Sequence, residues 1–289
     1  MRRSFHFIAN PLAGRGRNAL VAEVIAIVRA AGAEARTSTA VGESGALTEA
    51  RAIAHARSAE VIVAAGGDGT IRLAAKAVAG THVALGVIPL GTGNVLAHEV
   101  GLPRDAKGIA KHLLHGTART VKTATANGEL FLLMAGVGFD GRVIGGLNHA
   151  WKNRLGKLAY VPPLLAALSC KADVLAIDID GRPHQAAWVV VANARCYGGA
   201  FVMAPGTSIL TPGLEVVLFR GKHLAHRVVE LTKLGSGGIT RSESILTLPG
   251  RKITITSANP VPSQIDGDAF ATTPLTISAD GPDVSLIIP

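Results

Sequence analysis

No stretch of this chain reaches the roughly 18 to 20 consecutive apolar residues that a membrane-spanning helix needs, so no such span is expected. Cysteine is nearly missing. Cys170 and Cys196 are too few for a disulfide framework and wrongly spaced for a zinc site, which leaves buried free thiols as the expectation. The first residues lack the apolar core and small-residue cleavage site of a secretory signal, because Arg2 and Arg3 are soon followed by Asn10-Pro11 and Gly14. A cytoplasmic location is therefore expected, with peripheral attachment at the inner membrane face left open. The Walker pattern GxxxxGK[ST] is absent, which excludes an ordinary P-loop protein. Acid is scarcer than base: 20 Asp and Glu stand against 29 Lys and Arg, a formal charge of +9. That balance favours an anionic partner, whether nucleotide phosphates, a nucleic acid or an acidic membrane surface.

The shortage of acid is sharpest between Asp140 and Asp173, where no acidic residue occurs while Arg142, Lys152, Arg154, Lys157 and Lys171 do. Trp151, Tyr160 and the apolar stretch Leu158 to Leu168 share that window, interrupted by Pro162-Pro163. Basic and apolar residues together describe either an edge that rests on anionic lipid or an amphipathic helix pair with a solvated basic face.

What the chain does have is an alternation of strand-like and helix-like segments from residue 5 to about 119. It starts with the strand Phe5 to Ala9 and the helix Asn18 to Ala31, continues through a helix Gly45 to Arg57 and runs on to the helical Ala106 to His115. Alternation of this kind predicts a parallel sheet with helices on both faces. Beyond residue 120 strands dominate, among them Leu130 to Ala135, Val174 to Ile179, Ala187 to Ala192, Glu215 to Phe219 and Lys252 to Thr256. The last of these alternates apolar and polar residues in the half-buried antiparallel manner. The expected organisation is an α/β domain over 1–119 and a β-rich antiparallel domain over 120–289, with the active site in the cleft between them. The last strand either closes the second domain or returns to the first.

Three glycine turns follow apolar runs in the first hundred residues: Asn10-Pro11-Leu12-Ala13-Gly14-Arg15-Gly16, Gly66-Gly67-Asp68-Gly69-Thr70 and Pro89-Leu90-Gly91-Thr92-Gly93-Asn94. Glycine lets backbone N–H groups approach phosphate oxygens without a Cβ in the way, and a following helix N-terminus adds a favourable dipole. Asp68 in such a turn either coordinates Mg²⁺ against polyphosphate or caps the helix that follows. A literal GxGxxG, Gly136 to Gly141, lacks the acidic residue about twenty positions on that a dinucleotide site uses, and is expected to be a decoy.

In order and spacing, these three turns resemble the diacylglycerol kinase catalytic-domain family, which includes bacterial lipid kinases and sphingosine and ceramide kinases. The similarity extends through Ala135 to Asp140, Asn193 to Gly199, Ala204-Pro205 and Ile265-Asp266-Gly267-Asp268. The resemblance implies ATP- and Mg²⁺-dependent phosphorylation of a lipid hydroxyl. Asn10, Pro11, Gly14, Arg15, Thr39, Gly66, Gly67, Asp68, Gly69, Thr70, Gly91, Thr92 and Asn94 would line the ATP site. Asp68 and Asp268 would be the metal ligands, and Asp68, Asp266 and Asp268 the catalytic carboxylates. Asp140 would meet the acceptor, or else cap the helix after it. Two carboxylates around a glycine suit one proton acceptor and one metal holder, or a solvated Asp-Gly hairpin turn. An aromatic content of 4% is compatible with an aliphatic acceptor pocket.

The chain departs from the family in three places. The final carboxylate is Asp268 where Glu is usual, Leu210-Thr211-Pro212-Gly213 replaces an Asp-Gly pair that helps hold a structural Mg²⁺, and Asn94-Val95 replaces Asn-Asp. The structural metal is therefore expected to be missing. The expected partner is a lipid at an anionic membrane surface; no nucleic acid is expected, and a homodimer is left open. The alternatives are a kinase like NAD kinase, whose further motifs are not found, and a noncatalytic protein that binds nucleotide or nucleic acid.

Overall fold

The computed structural model describes residues 2–9, 18–39, 50–52, 54, 59–148, 156–221, 223–236 and 244–289. The chain divides into two compact units, Met1–Val121 with Pro282–Pro289, and Lys122–Gly281. The last strand thus returns to the first unit.

In the first unit, β1 (Ser4–Ala9), β2 (Glu34–Thr39), β3 (Val61–Gly66), β4 (Ala84–Pro89) and β5 (Thr117–Val121) join the C-terminal strand Val284–Ile288 in one sheet. The order is β2-β1-β3-β4, then the C-terminal strand, then β5. β1 to β4 run parallel, as alternation of strands and helices predicts. β3 and β4 are buried at every position, the mark of central strands covered on both faces. Helix α1 (Asn18–Ala30) packs Val21, Val24, Ile25 and Val28 onto the core, a spacing that puts all four on one face. Helices α2 (Asp68–Val78), α3 (Val95–Val100) and α4 (Ala106–His115) follow β3 and β4. The segment Gly45 to Arg57, expected to be helical, lies mostly outside the described residues.

The C-terminal strand is held partly by a histidine. His112 of α4 is 6% exposed, and its Nε2 lies 2.9 Å from the carbonyl oxygen of Ile287. Burial lowers its pKa below 6.5; the Ile287 carbonyl opposes that shift and Arg2 adds to it. A base with a lowered folded pKa keeps its full stabilising effect above the unfolded value and loses it as pH falls below that value. The melting temperature is accordingly expected to drop as pH falls from 7.5 to 5.5, and His112→Gln should shrink that drop. Equal pH dependence in the variant and the parent would remove His112 as the cause.

The second unit holds two six-stranded sheets and a two-stranded ribbon. Its strands are β6 (Ala124–Ala126), β7 (Glu129–Phe131), β8 (Met134–Val137), β9 (Leu175–Ile179), β10 (Arg182–Ala186), β11 (Trp188–Ala192), β12 (Cys196–Tyr197) and β13 (Phe201–Val202). They continue with β14 (Leu214–Phe219), β15 (Ile245–Gly250), β16 (Lys252–Ser257), β17 (Pro262–Ile265), β18 (Asp268–Thr272) and β19 (Leu275–Ser278), and the C-terminal strand of the first unit is β20. One sheet runs β10-β9-β16-β19-β6-β7 and the other β15-β14-β11-β8-β17-β18. Their apolar faces share one core, to which β16 gives Ile253 and Ile255 while Lys252 and Thr256 stay exposed. Helices α5 (Phe139–Gly145), α6 (Val161–Ser169), entered through a 3₁₀ turn at Gly156–Tyr160, and α7 (Leu224–Ser236) interrupt the strands.

The expected strand Leu130 to Ala135 is corrected: it is two strands in two different sheets, β7 and β8. The break has a physical cause, because the N–H groups of Leu132, Leu133 and Met134 all donate to the carboxylate of Asp266.

Candidate active site

In the first unit the register aligns the strand ends from which the ligand loops depart. Thr39 of β2 pairs with Ala9 of β1, Ala9 with Ala65 of β3, and Gly66 with Pro89 of β4. The carboxyl edge of a parallel sheet is where α/β folds collect ligands, because the helices that follow point their N-termini there. Asn10, Pro11, Gly14 and Arg15, which follow Ala9, lie outside the described residues, as does the side chain of Thr39.

The second and third glycine turns touch backbone to backbone. A Cβ on Gly91 would stand 2.8 Å from the Cα of Gly67 and 2.9 Å from Asn94 Oδ1. A Cβ on Gly66 would meet Thr70 at 2.6 Å. Glycine here is a packing requirement. Gly67 opens α2, and no side chain caps this helix N-terminus, the condition under which first-turn N–H groups serve an anion. Asn94 adopts a left-handed conformation, φ 48°, and its buried Oδ1 has no hydrogen-bond partner among the described residues. Thr92 is exposed, and Gly67, Gly69 and Thr70 are half-buried. Uncapped N–H groups and absent Cβ atoms fit a polyphosphate, whereas the orphaned Asn94 Oδ1 is an acceptor and would need a donor instead.

Asp68 is placed differently from a simple metal ligand. Its Oδ2 accepts the Val95 N–H at 3.1 Å and its Oδ1 the Leu96 N–H at 3.2 Å. The carboxylate therefore caps α3, the helix after the third turn, rather than α2, and ties the second turn to the third. Among the described residues no group of three His, Cys, Asp or Glu side chains forms a metal cage. A Mg²⁺ ion at this edge would reach Asp68 only through oxygens that already accept the Val95 and Leu96 N–H groups.

The second unit carries the other carboxylates. Asp266 (φ 50°) and Gly267 (φ 85°) make the two-residue turn between β17 and β18, with Ile265 paired to Asp268. Positive φ at both residues is what a tight hairpin needs, and Asp-Gly supplies it readily. The Asp266 side chain is not solvated, at 6% exposure, although Gly267 beside it is half-buried. Its Oδ2 accepts the Leu132 N–H at 2.8 Å, and its Oδ1 accepts those of Leu133 at 2.8 Å and Met134 at 3.0 Å. On the same segment, Asn193 Nδ2 donates to the Leu132 carbonyl at 2.6 Å and the Lys122 carbonyl at 2.8 Å. Three of the roughly four acceptor positions of Asp266 are thus filled by backbone amides, which makes it a clamp on the chain between β7 and β8. Asp268, the first residue of β18, is half-buried.

Asp140 sits in the first turn of α5 but does not cap it; Gly138 is the residue at the cap. The Asp140 side chain, 3% exposed, accepts the Tyr197 hydroxyl on Oδ1 and the Gln264 amide on Oδ2 at 2.6 Å. Gln264 then accepts the Gly267 N–H at 2.7 Å, so one amide side chain joins Asp140 to the hairpin turn. Burial raises the Asp140 pKa, and the bonds from Tyr197 and Gln264 act against that rise. Tyr197 is pushed well above its usual value, by burial first and by Asp140 second. The glycines of the GxGxxG stretch are explained by this arrangement. A Cβ on Gly136 would stand 1.8 Å from Asp140 Oδ2, Gly138 has φ 93°, and a Cβ on Gly141 would meet the Pro262 carbonyl at 2.2 Å. The stretch is a strand, turn and helix of an antiparallel sheet, packed for Asp140 and not for a dinucleotide.

Two models of known families match the chain: the diacylglycerol kinase catalytic domain over residues 4–126, and the YegS C-terminal NAD kinase beta sandwich-like domain over residues 134–288. The chain belongs to the diacylglycerol kinase family. Within that family it is 28% identical to a diacylglycerol kinase of Bacillus subtilis, over 93% of this chain and 90% of that protein. It is 35% identical to a YegS-like lipid kinase of Pseudomonas aeruginosa, over 50% of this chain and 49% of that one. A Bacillus anthracis structure, solved as a candidate diacylglycerol kinase, covers 100% of this chain and 96% of its own, with a TM-score of 0.83 at 21% identity. That likeness speaks to the fold: an α/β unit with a parallel sheet, then a β-rich antiparallel unit. Tyr197 and Gln264 were not singled out as site residues from sequence. Both lie inside or beside stretches that resemble family blocks, which was the available signal.

Proposed function

We propose that this member of the family is an ATP-dependent lipid kinase that moves the γ-phosphoryl group to a lipid hydroxyl, such as that of a diacylglycerol, a ceramide or a sphingoid base. The observation that carries this reading is the row of level strand ends with the Gly67 and Gly91 turns in contact and the uncapped α2 N-terminus beside them. These groups would hold the phosphates, and Asp68 would keep the two turns in register. In the transfer, the bond between the γ-phosphorus and the β–γ bridging oxygen breaks, a bond from the lipid oxygen to phosphorus forms, and ADP leaves. The hydroxyl proton passes to a carboxylate. Asp268 suits that task better than Asp266, whose oxygens are engaged by three amides. Catalysis of this kind rests on positioning and charge neutralisation more than on a strong base. Mg²⁺ would accompany ATP and neutralise phosphate charge.

The test is transfer of radiolabelled γ-phosphate from ATP and Mg²⁺ into mixed micelles that contain diacylglycerol, ceramide, sphingosine or phosphatidylglycerol. Label in one organic-extractable product is expected, and that product names the acceptor. No label in any of them, while the protein still binds ATP, would overturn the lipid-kinase reading.

A further inference from the structure

Helix α7 is built inside out. Its buried charged residues are Arg227 and Glu230, at 7% and 0% exposure, while Leu224, Val228 and Val229 face outward at 54%, 45% and 47%. Backbone requirements account for the charged face. The Arg227 guanidinium donates to the carbonyls of Ala167, Leu168 and Cys170 at 3.2, 2.9 and 2.8 Å, which caps the C-terminal end of α6. Glu230 Oε1 accepts the Gly221 N–H at 3.1 Å. No such requirement accounts for the apolar face.

Its neighbour α6 also exposes apolar side chains. The sequence VPPLLAALS contains no charged residue, the helix buries Pro163 and Ala167, and it leaves Val161 and Leu165 45% and 58% exposed. Leu158, one turn earlier, is 68% exposed, and Phe201 and Val202 of β13, which lies against α7, are each 44% exposed. Every large apolar side chain exposed among the described residues belongs to the second unit, and all but Val174 lie on these adjoining elements. Scattered apolar surface is ordinary, whereas a cluster shared by an uncharged helix and one that turns Arg227 and Glu230 inward marks a surface meant for an apolar partner.

Charge selects the partner. The exposed charged groups on these segments are basic, Lys157 and Lys171, and Glu230 is the one acidic residue within 156–172, 196–202 and 223–236. Two copies of the chain meeting through this surface would bring like charges together. An anionic lipid layer would accept both the aliphatic side chains and the lysines.

We propose that the outer faces of α6 and α7, with Leu158 and β13, form a docking surface for an anionic lipid bilayer. The choice of lipid as the partner rests on the lipid-kinase reading, but the surface can be tested without ATP. Sedimentation with vesicles of phosphatidylglycerol and phosphatidylcholine in equal parts is compared with vesicles of phosphatidylcholine alone. Wild-type protein is expected to partition onto the anionic vesicles about tenfold more strongly. Leu165→Glu with Val228→Glu, and separately Lys157→Glu with Lys171→Glu, should each weaken that partition about tenfold with no change in melting temperature. All four positions are exposed, so neither pair threatens the fold. Equal partition onto both vesicle types, or wild-type partition by the variants, would overturn the proposal. So would a stable dimer in solution that Leu165→Glu with Val228→Glu dissociates. Vesicle binding without phosphoryl transfer to any acceptor would instead remove the kinase reading and leave the docking surface in place.

Discussion

Asp68→Ala is expected to lower phosphoryl transfer at least about 10²-fold, with a rise in the KM for ATP, while Asp68→Asn retains a measurable part of the activity. The asymmetry follows from what the carboxylate does. Two oxygens hold two successive N–H groups, those of Val95 and Leu96, across sequence separations of 27 and 28 residues. Alanine leaves both first-turn N–H groups of α3 without that partner, at about 0.5 to 2 kcal/mol for a lost cap. The larger consequence is positional: the third glycine turn is released from the second, and in the proposed site both would face the same phosphates. A misplacement of about 1 Å in such a site can cost on the order of 10² in rate. Asparagine keeps one oxygen and hence one of the two bonds. The checks are steady-state kinetics over ATP concentration and the melting temperature of each variant. If asparagine were as inactive as alanine and neither changed the melting temperature, the carboxylate charge itself would be the essential feature, and Asp68 would return to the role of metal ligand.

This contrast shows which parts of the site were legible in the sequence. The places of the second and third glycine turns in the fold were legible, because they follow apolar runs that are the buried strands β3 and β4, while the first turn lies outside the described residues. The strands β3 and β4 were equally plain, since all of their positions are buried. The roles of the carboxylates were not. A capping reading of Asp68 points to the helix that begins beside it, whereas the helix it caps begins at Val95. Asp266 finds its amides at Leu132, Leu133 and Met134, more than 130 positions upstream. Periodicity reports which face of an element is buried, not which distant backbone a side chain will satisfy. For the same reason the break between β7 and β8 was hidden, because a run of apolar residues reads as one strand until its N–H groups are assigned elsewhere. In α7 the pattern is inverted, and an ordinary amphipathic reading would assign its faces the wrong way round.

Asp266 and Asp268 are expected to separate when each is replaced by asparagine. In Asp266→Asn, an amide NH₂ is set against backbone N–H groups that donated to the carboxylate, so a buried donor faces a donor. Leaving a buried polar group unsatisfied costs about 1 to 3 kcal/mol, and more where an ionised partner is lost. The expected signature is therefore a melting temperature lower by several degrees, with weaker amide-exchange protection at Leu132 to Met134, and any loss of turnover follows from that structural damage. Asp268 is half-buried at the start of β18, so Asp268→Asn should hold stability within about 0.5 kcal/mol of the parent. If it takes the proton, turnover should fall about 10²-fold, the scale of losing a general base. The network around Asp140 offers a control, because Gln264 links it to the Gly267 N–H without being a proton acceptor. Gln264→Leu removes that link and should cost stability and turnover together, as Asp266→Asn does. An Asp266→Asn protein that melts like the parent and yet transfers no phosphate would reverse the assignment and make Asp266 the base, despite its three amide partners.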